Sequence, residues 1–389
     1  MFKYICLIVS KLRILNMQLS NKIKTINKNF WSFSILFLLF FATFQTTNAT
    51  EENHEKQKFN AGEMIIEHIG DGYEWHIATI GETHLSIPLP VILFQDGKFV
   101  SFCSSNFHHG HESYQGFKIA HEGKYKGKIV HLSTNEKGEE IETRPIDLSI
   151  TKLVLSLFMG VFLIAWLFIS ISRSYQKRGM AAPKGMQSML EPIILFVRDD
   201  IAKSSLGEKN YKKYLPFLLT IFFFIFINNL LGLIPFFPGG ANLTGNIAVT
   251  LTLAIFTFVI TTLSGNRNYW THIVNAPGVP WWLKIPVPLM PIVELVGVFT
   301  KPFVLMVRLF ANITAGHIIA LGFISLIFIF GEMQPALGYG VSIVSVVFYV
   351  FMGLLELLVA FIQAYVFTLL SALYFGMAIE EHHHAEEHH

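Results

Sequence analysis

The chain has 389 residues, of which 52% are hydrophobic and 14% charged, with 37 phenylalanines and a formal net charge of +2. A soluble domain of this length carries about a quarter charged residues, so the shortfall excludes an ordinary water-soluble protein and points to several membrane spans. The small net charge, with no basic run interleaved with aromatics, excludes a nucleic-acid interface. Two cysteines, Cys6 and Cys103, exclude a disulfide framework and thiolate metal chemistry.

Residues 1–49 have the order of a signal peptide. Lysines from Lys11 to Lys28 precede an apolar core, Trp31 to Phe44, and a small-residue end at Thr47-Asn48-Ala49. Met17 offers an alternative start and a more ordinary leader length. The competing reading is an uncleaved first span, for which ~14 apolar residues fall short of the ~20 required.

Residues 50–147 are polar and hold nine histidines. His84 to Gln95 and Lys98 to Cys103 alternate as strands and predict a hairpin around Asp96-Gly97. Lys126 to Leu132 is a further candidate strand. This segment reads as a small β-containing domain on the exported (periplasmic) side. Its His108-His109-Gly110-His111 run could hold a metal, but it is short, lacks a second ligand group and reads first as a solvated loop.

Five apolar units follow, near 149–172, 214–237, 247–264, 286–330 and 341–379. The last two exceed what one perpendicular crossing needs and are expected to be tilted or bent. Pro291 and Pro302 are expected to break hydrogen bonding in the fourth and kink it. Residues 185–205 carry Glu191, Arg198, Asp199 and Asp200 and suit a helix lying at the interface.

Loop charge sets the expected orientation. Arg173, Lys177, Arg178 and Lys184 follow the first unit; Lys203, Lys209, Lys212 and Lys213 precede the second; Arg267 and Lys284 lie between the third and fourth. Residues 238–246 and 331–340 contain no Lys or Arg. The positive-inside rule puts the basic loops and the C-terminus in the cytoplasm. The fold class is therefore an all-α polytopic membrane protein: about five membrane helices, an interfacial helix and a small exported-side β-containing domain.

Charge inside the apolar units is the main functional clue, because a charged side chain at membrane depth costs about 3 kcal/mol on insertion scales. Glu294, Lys301 and Arg308 stand seven and seven apart and return to nearly one helix face, with Asn312 a turn further on. Glu356 and Gln363 are likewise seven apart in the fifth unit. Glu294 and Lys301 could pair with each other, or Lys301 could snorkel to the interface. Arg308 has no acidic neighbour between Phe303 and Phe310, and a guanidinium does not discharge itself. It therefore needs an anion from elsewhere, a neighbouring subunit or a transported ion. His317 follows nine residues later, ~13 Å along the axis and about half a turn around it, so it should meet a different environment. It suits either a water-filled path or an interhelical hydrogen bond.

The run from Lys301-Pro302-Phe303 through Arg308-Leu309-Phe310-Ala311-Asn312-Ile313-Thr314-Ala315-Gly316-His317 resembles subunit a of F-type ATP synthases. So do Asn229-Leu230-Leu231-Gly232-Leu233-Ile234-Pro235, Thr244-Gly245-Asn246-Ile247-Ala248-Val249-Thr250, Gln363-Ala364-Tyr365-Val366-Phe367 and Met377-Ala378-Ile379-Glu380-Glu381-His382. The likeness spans about 147–382. It implies a proton-translocating stator subunit of the F0 sector in a bacterial inner membrane, non-catalytic on its own, with no cofactor and no metal. The implied partners are the c-ring proteolipid subunits, the subunit b stator stalk and, through the complex, the F1 sector, together with membrane lipids and the transported H+. Arg308 takes the position of the stator arginine facing the rotor carboxylate, and Gln363 that of the polar residue beside it. Asn312, His317, Glu356, Asn229 and Thr244 fall where the family lines the proton inlet, and Glu294 where it carries an acidic group near the cytoplasmic outlet. Many bacterial members have Glu at the His317 position and His at the Glu356 position; this chain has the exchanged pair, as mitochondrial members do. Gly232 and Ala248 stand where some members have Asp and Asn.

The implied division is a signal peptide, 1–49, an exported domain, 50–147, a membrane domain, 148–381, and a His/Glu-rich cytoplasmic tail, 382–389. Two rivals remain: an independent channel or secondary transporter, against which the absence of an internal repeat counts, and a membrane-anchored metal or pH sensor. No phosphate-binding loop or nucleophile triad is present, so nucleotide chemistry belongs to other subunits.

Overall fold

The computed structural model describes residues 59–379, except 81–82, 96, 111, 121–122, 135–139, 179–182, 235–236, 238 and 275–288. The leader (1–49), the tail (382–389), Asp96, His111 and Lys284 lie outside the described residues.

The N-terminal region begins with helix α1 (Ala61–Ile69), started by Asn60, whose side chain accepts from the Glu63 amide as an N-cap. Strands β1 (Glu74–Ile80) and β2 (Thr83–Pro88) pair antiparallel. Strands β3 (Pro90–Gln95) and β4 (Lys98–Cys103) form the predicted hairpin, with Gln95 opposite Lys98 and Gly97 at φ +77°. The expected strand from His84 to Gln95 is two strands that meet at Leu89, because β2 turns to pair with β1 while β3 pairs with β4. A 3-10 turn (Ser104–Gly110), β5 (Phe117–Ile119), β6 (Ile129–Thr134), β7 (Glu140–Thr143) and β8 (Ile146–Asp147) complete the region. β6 corresponds to the strand expected from Lys126, shifted three residues later. Alternation along β3 sends Val91 and Leu93 into a small core with Tyr73, Phe107, Phe117 and Ile129.

The rest is helical: α2 (Lys152–Arg178), α3 (Met186–Phe196), a π-helical stretch (Val197–Lys203), α4 (Ser204–Leu233), α5 (Ile247–Ser264), α6 (Arg267–Val274), α7 (Leu289–Met333) and α8 (Pro335–Ile379). Among the described residues five helical stretches are long and apolar enough to cross a membrane: Lys152–Lys177, Met186–Leu233, Ile247–Ser264, Pro291–Met333 and Pro335–Ile379. Their outward faces carry Phe158, Phe162 and Trp166 on α2, Leu251, Ile255 and Phe256 on α5, and Val347, Phe351 and Leu354 on α8, all exposed. Apolar exposure on this scale fits lipid or partner contact rather than water.

One expectation changes. Pro291 sits in the first turn of α7, where a missing N–H costs nothing, whereas Pro302 lies inside α7 and removes one backbone donor while the helix continues past it. Residues 186–206 form the expected helix, running through the π-helical stretch, and a kink at Gly207, φ 73° and ψ 166°, separates it from the rest of α4.

Helix α4 holds the bundle together. Its Leu218, Phe222, Phe223 and Ile225 pack with Leu305 and Leu309 of α7 and Ala364, Phe367 and Phe375 of α8. Polar bridges join the helices: Asn229 Nδ2 donates to the Ala360 carbonyl at 3.4 Å, and Asn266 Nδ2 to the Ile379 carbonyl at 2.9 Å. Helices α7 and α8 are separated by Gln334 alone, and Gly331 and Gly338 let the chain double back, since a Cβ on Gly338 would stand 2.7 Å from Gly331 Cα.

The β-containing region sits at one end of this bundle. Asp71 Oδ1 accepts from the Leu153 amide at 3.1 Å and the Gly72 carbonyl from the Lys152 amide at 2.9 Å, capping α2. Trp75 packs edge-on against Phe237 at 5.4 Å and buries with Leu153, Ala241 and Leu243. Phe59 N donates to Glu332 Oε1 at 2.8 Å. The region therefore shares an end with both loops that lack Lys and Arg, 238–246 and 331–340.

Candidate functional site

A cavity of about 210 Å³ lies between α4, the 234–246 loop, α7 and α8. Its polar lining is Asn228, Asn229, Asn242, Asn312, His317 and Glu356. His317 Nδ1 lies 3.6 Å from Glu356 Oε1. That distance is too long for a direct hydrogen bond, and Glu356 Oε1 is buried with no hydrogen-bond partner among the described residues. The cavity has room for several waters to join such groups. Gly316 makes the arrangement possible: a Cβ there would stand 2.8 Å from Glu356 Oε1.

Asn229 belongs to the floor of this cavity and takes a hydrogen bond from Thr244 Oγ1 at 2.5 Å, with both residues buried. Gly232 also lines it: a Cβ there would meet the Ala241 carbonyl at 3.4 Å and His317 Nε2 at 3.8 Å. Two liners were not anticipated. Asn228 packs its amide against α2 at Gly160, and Asn242 donates nothing from its buried Nδ2 while its Oδ1 accepts from the Gly245 amide. The adjacency of Asn228 to Asn229 was the one usable hint for the first. Asn242 sits in a loop whose sequence reads as a plain turn.

Arg308 is elsewhere. It is exposed on α7, beside exposed Val304, Val307, Ala311 and Asn312. Among the described residues no carboxylate reaches it within ion-pair distance; its electrostatic neighbour is Tyr374 of α8. The half-turn separation from His317 is thus realised, one side chain on the outer face and the other in the cavity. Gln363 of α8 is buried, 4% exposed. Of the two alternatives for Glu294 and Lys301, their mutual pair does not form: His272 Nδ1 of α6 lies 3.8 Å from Glu294 Oε1, and Lys301 Nζ stands 5.6 Å from the Tyr374 ring. On a helix rising 1.5 Å per residue, Arg308 falls between the cavity at His317, ~13 Å to one side, and Glu294, ~21 Å to the other.

The sequence model for the ATP synthase A chain matches residues 153–376. The chain belongs to the ATP synthase A chain family. A second match, to a domain of unknown function, covers residues 64–148. ATP synthase subunit a of Chloroherpeton thalassium is 43% identical over 267 residues, 67% of this chain and 74% of that relative. Subunit a 2 of Chlorobaculum tepidum is 45% identical over 61% of this chain and 65% of its own length, and subunit a of Myxococcus xanthus is 44% identical over 65% and 81%. Members of this family are the non-catalytic, proton-translocating membrane subunit of the F0 sector. Catalysis accordingly belongs to other subunits. In the β-containing region, His108 Nε2 lies 3.6 Å from Glu112 Oε2 with both side chains exposed, and no group of three His, Cys, Asp or Glu suited to a metal occurs among the described residues.

Proposed function

We propose that this chain conducts protons between two half-paths and holds the stator charge against a c-ring, with Arg308, His317, Glu356, Gln363, Asn312, Glu294, Asn229 and Thr244 as the working residues. One observation carries the reading: Arg308 projects from an apolar outer face with no acid of its own among the described residues, while His317, nine residues further along the same helix, lines an inner cavity together with Glu356 of α8. A permanent cation on a surface otherwise fit for hydrocarbon is costly unless a partner supplies the counter-charge. A rotor carboxylate is such a partner.

Protons reach the cavity from the exported side, pass His317 and Glu356 with Asn229, Thr244 and Asn312 ordering the connecting water, and protonate the rotor carboxyl. Once neutral, that carboxyl crosses lipid without the insertion cost of a charge. After nearly a full turn it meets the outlet towards Glu294, loses its proton and is met by Arg308 in its ionised form. Arg308 also repels a proton seeking the direct route. Gln363 of α8, buried within the bundle, acts on this step from inside the subunit rather than by touching the carboxylate. Each charge gains about 2.3 kcal/mol per 100 mV, so rotation must sum several crossings per nucleotide made.

The membrane arrangement follows. Helices of 45 residues, α7 and α8, measure ~67 Å at 1.5 Å per residue, over twice the ~30 Å hydrocarbon thickness. They run obliquely and present a long band to the ring. The leader is removed after export, the β-containing domain stays periplasmic, and the C-terminus stays cytoplasmic at the bacterial inner membrane, with subunit b and the F1 sector joined through the assembly.

The direct test is assembly geometry. With Cys103 replaced by serine, Ala311→Cys should cross-link to a cysteine set beside the ring carboxylate in the purified complex. Recovery of the chain without a proteolipid ring, or cross-linking only at α2 and α5, would overturn the reading.

A further inference from the structure

The β-containing region does more than rest on the membrane bundle. Its first helix, α1, packs on α7 and is fastened at both ends: Phe59 N donates to Glu332 Oε1 at the α7 terminus, with the Phe59 and Phe328 rings 5.2 Å apart, and Lys152 Nζ donates to the His68 carbonyl at 3.1 Å. This fastening sets His68 at the rim of a second, smaller cavity of about 50 Å³. His317, Glu356, Tyr349 and Asn242 line the same cavity. It shares His317, Glu356, Gly232 and Asn242 with the larger one, so the two meet at the histidine–carboxyl pair.

His68 has a position that no other described histidine has. Its residue is exposed at the outer end, yet it lines the small cavity and lies within electrostatic reach of His317. A group facing solution on one side and a water-sized cavity on the other can take a proton from bulk and release it inward. Imidazole is the side chain whose ordinary pKa, about 6.5, lets it do both near neutral pH.

We propose that the exported domain supplies the outermost station of the proton inlet, with His68 passing protons to the His317–Glu356 pair while α1 covers the mouth of the path. The inference rests on the proposed function, since it extends the inlet assigned there. The transfer is a simple relay: the Nε2 or Nδ1 lone pair of His68 accepts a proton from bulk water, and a proton leaves the ring to water in the small cavity, returning the neutral imidazole. The groups that bias it are Lys152 and Asp71 at the foot of α2, Tyr349 and Glu356 on α8, and His317 on α7.

The test uses the complete ATP synthase in sealed vesicles. ATP synthesis is measured at fixed membrane potential while the exported-side pH is stepped from about 6 to about 9, across the ordinary histidine range. His68→Ala should match the parent at acidic pH and run several-fold slower at alkaline pH, where protons are scarce. Imidazole in the exported-side buffer should restore the lost rate. If the alanine variant fails to assemble, His68→Gln, which keeps size and polarity but cannot titrate, gives the same reading. An unchanged profile, or a loss that imidazole does not restore, would overturn the proposal. Arg308→Ala in parallel vesicles separates the two claims. Coupled synthesis surviving in Arg308→Ala removes the proposed function itself; synthesis abolished there with His68→Ala unaffected removes only the relay.

Discussion

His317 Nδ1 of α7 stands 3.6 Å from Glu356 Oε1 of α8 across a cavity of about 210 Å³, a separation that leaves the carboxyl free to exchange a proton with water rather than lock to the ring. The two groups thus face each other from helices α7 and α8. Glu356→Ala should slow passive proton flow through F1-stripped membranes by at least about tenfold, the low end of what a positioned acid–base group contributes. Glu356→Asp and Glu356→His should fall between. Equal rates for all three would remove Glu356 from the path.

Gly316 is the spacer that admits the Glu356 carboxylate. Gly316→Ala should displace the flexible end of Glu356, leaving assembly intact and slowing proton flow several-fold. Gly322→Ala, six residues along α7 with nothing within 4 Å of the added Cβ, should leave flow unchanged. It should also stabilise the helix by up to ~1 kcal/mol, as Ala does over Gly. Similar flow in both variants would contradict the role given to Gly316.

The junction between the β-containing region and the bundle should carry a pH signature. Tyr73 is buried and its hydroxyl donates to Asp147 Oδ2 at 2.5 Å; burial first, and the Asp147 carboxylate second, push the phenol well above its ordinary range. Folding therefore favours the protonated phenol. Its contribution is complete below about pH 10, the unfolded value, and is lost as pH rises from there towards the folded value. Thermal unfolding of the domain should shift downward above about pH 10, and Tyr73→Phe should flatten that dependence. An equally steep alkaline loss in Tyr73→Phe would refute the assignment.

Asp71 caps α2 through the Leu153 amide. Asp71→Ala should cost about 1 kcal/mol, and because the same turn carries Lys152 and its bond to the His68 carbonyl, it should also loosen α1, read as faster amide exchange over Ala61–Ile69.

Much of this was legible in the sequence because lipid imposes simple rules. The five apolar units and the charges that do not belong in them stand out by composition, and the positions of Arg308 and His317 on different faces follow from helical spacing. The Gln95–Lys98 hairpin was legible from Gly97. What stayed hidden depended on tertiary packing. The segment 331–340 looked like a loop, yet only Gln334 separates two helices, because Gly331 and Gly338 let backbones touch. Helix α1 is nine residues with no strong start signal beyond Asn60, and its contact with α7 joins residues far apart in sequence. Asn242 and His68 enter the site only through such contacts.

Arg308, whose guanidinium has no carboxylate partner among the described residues, is on the proposed function the stator charge that forces protons through the rotor. Proton-gradient-driven ATP synthesis by the reconstituted complex carrying Arg308→Ala measures it most directly. The account predicts full assembly and no synthesis; synthesis at the parental rate would contradict it.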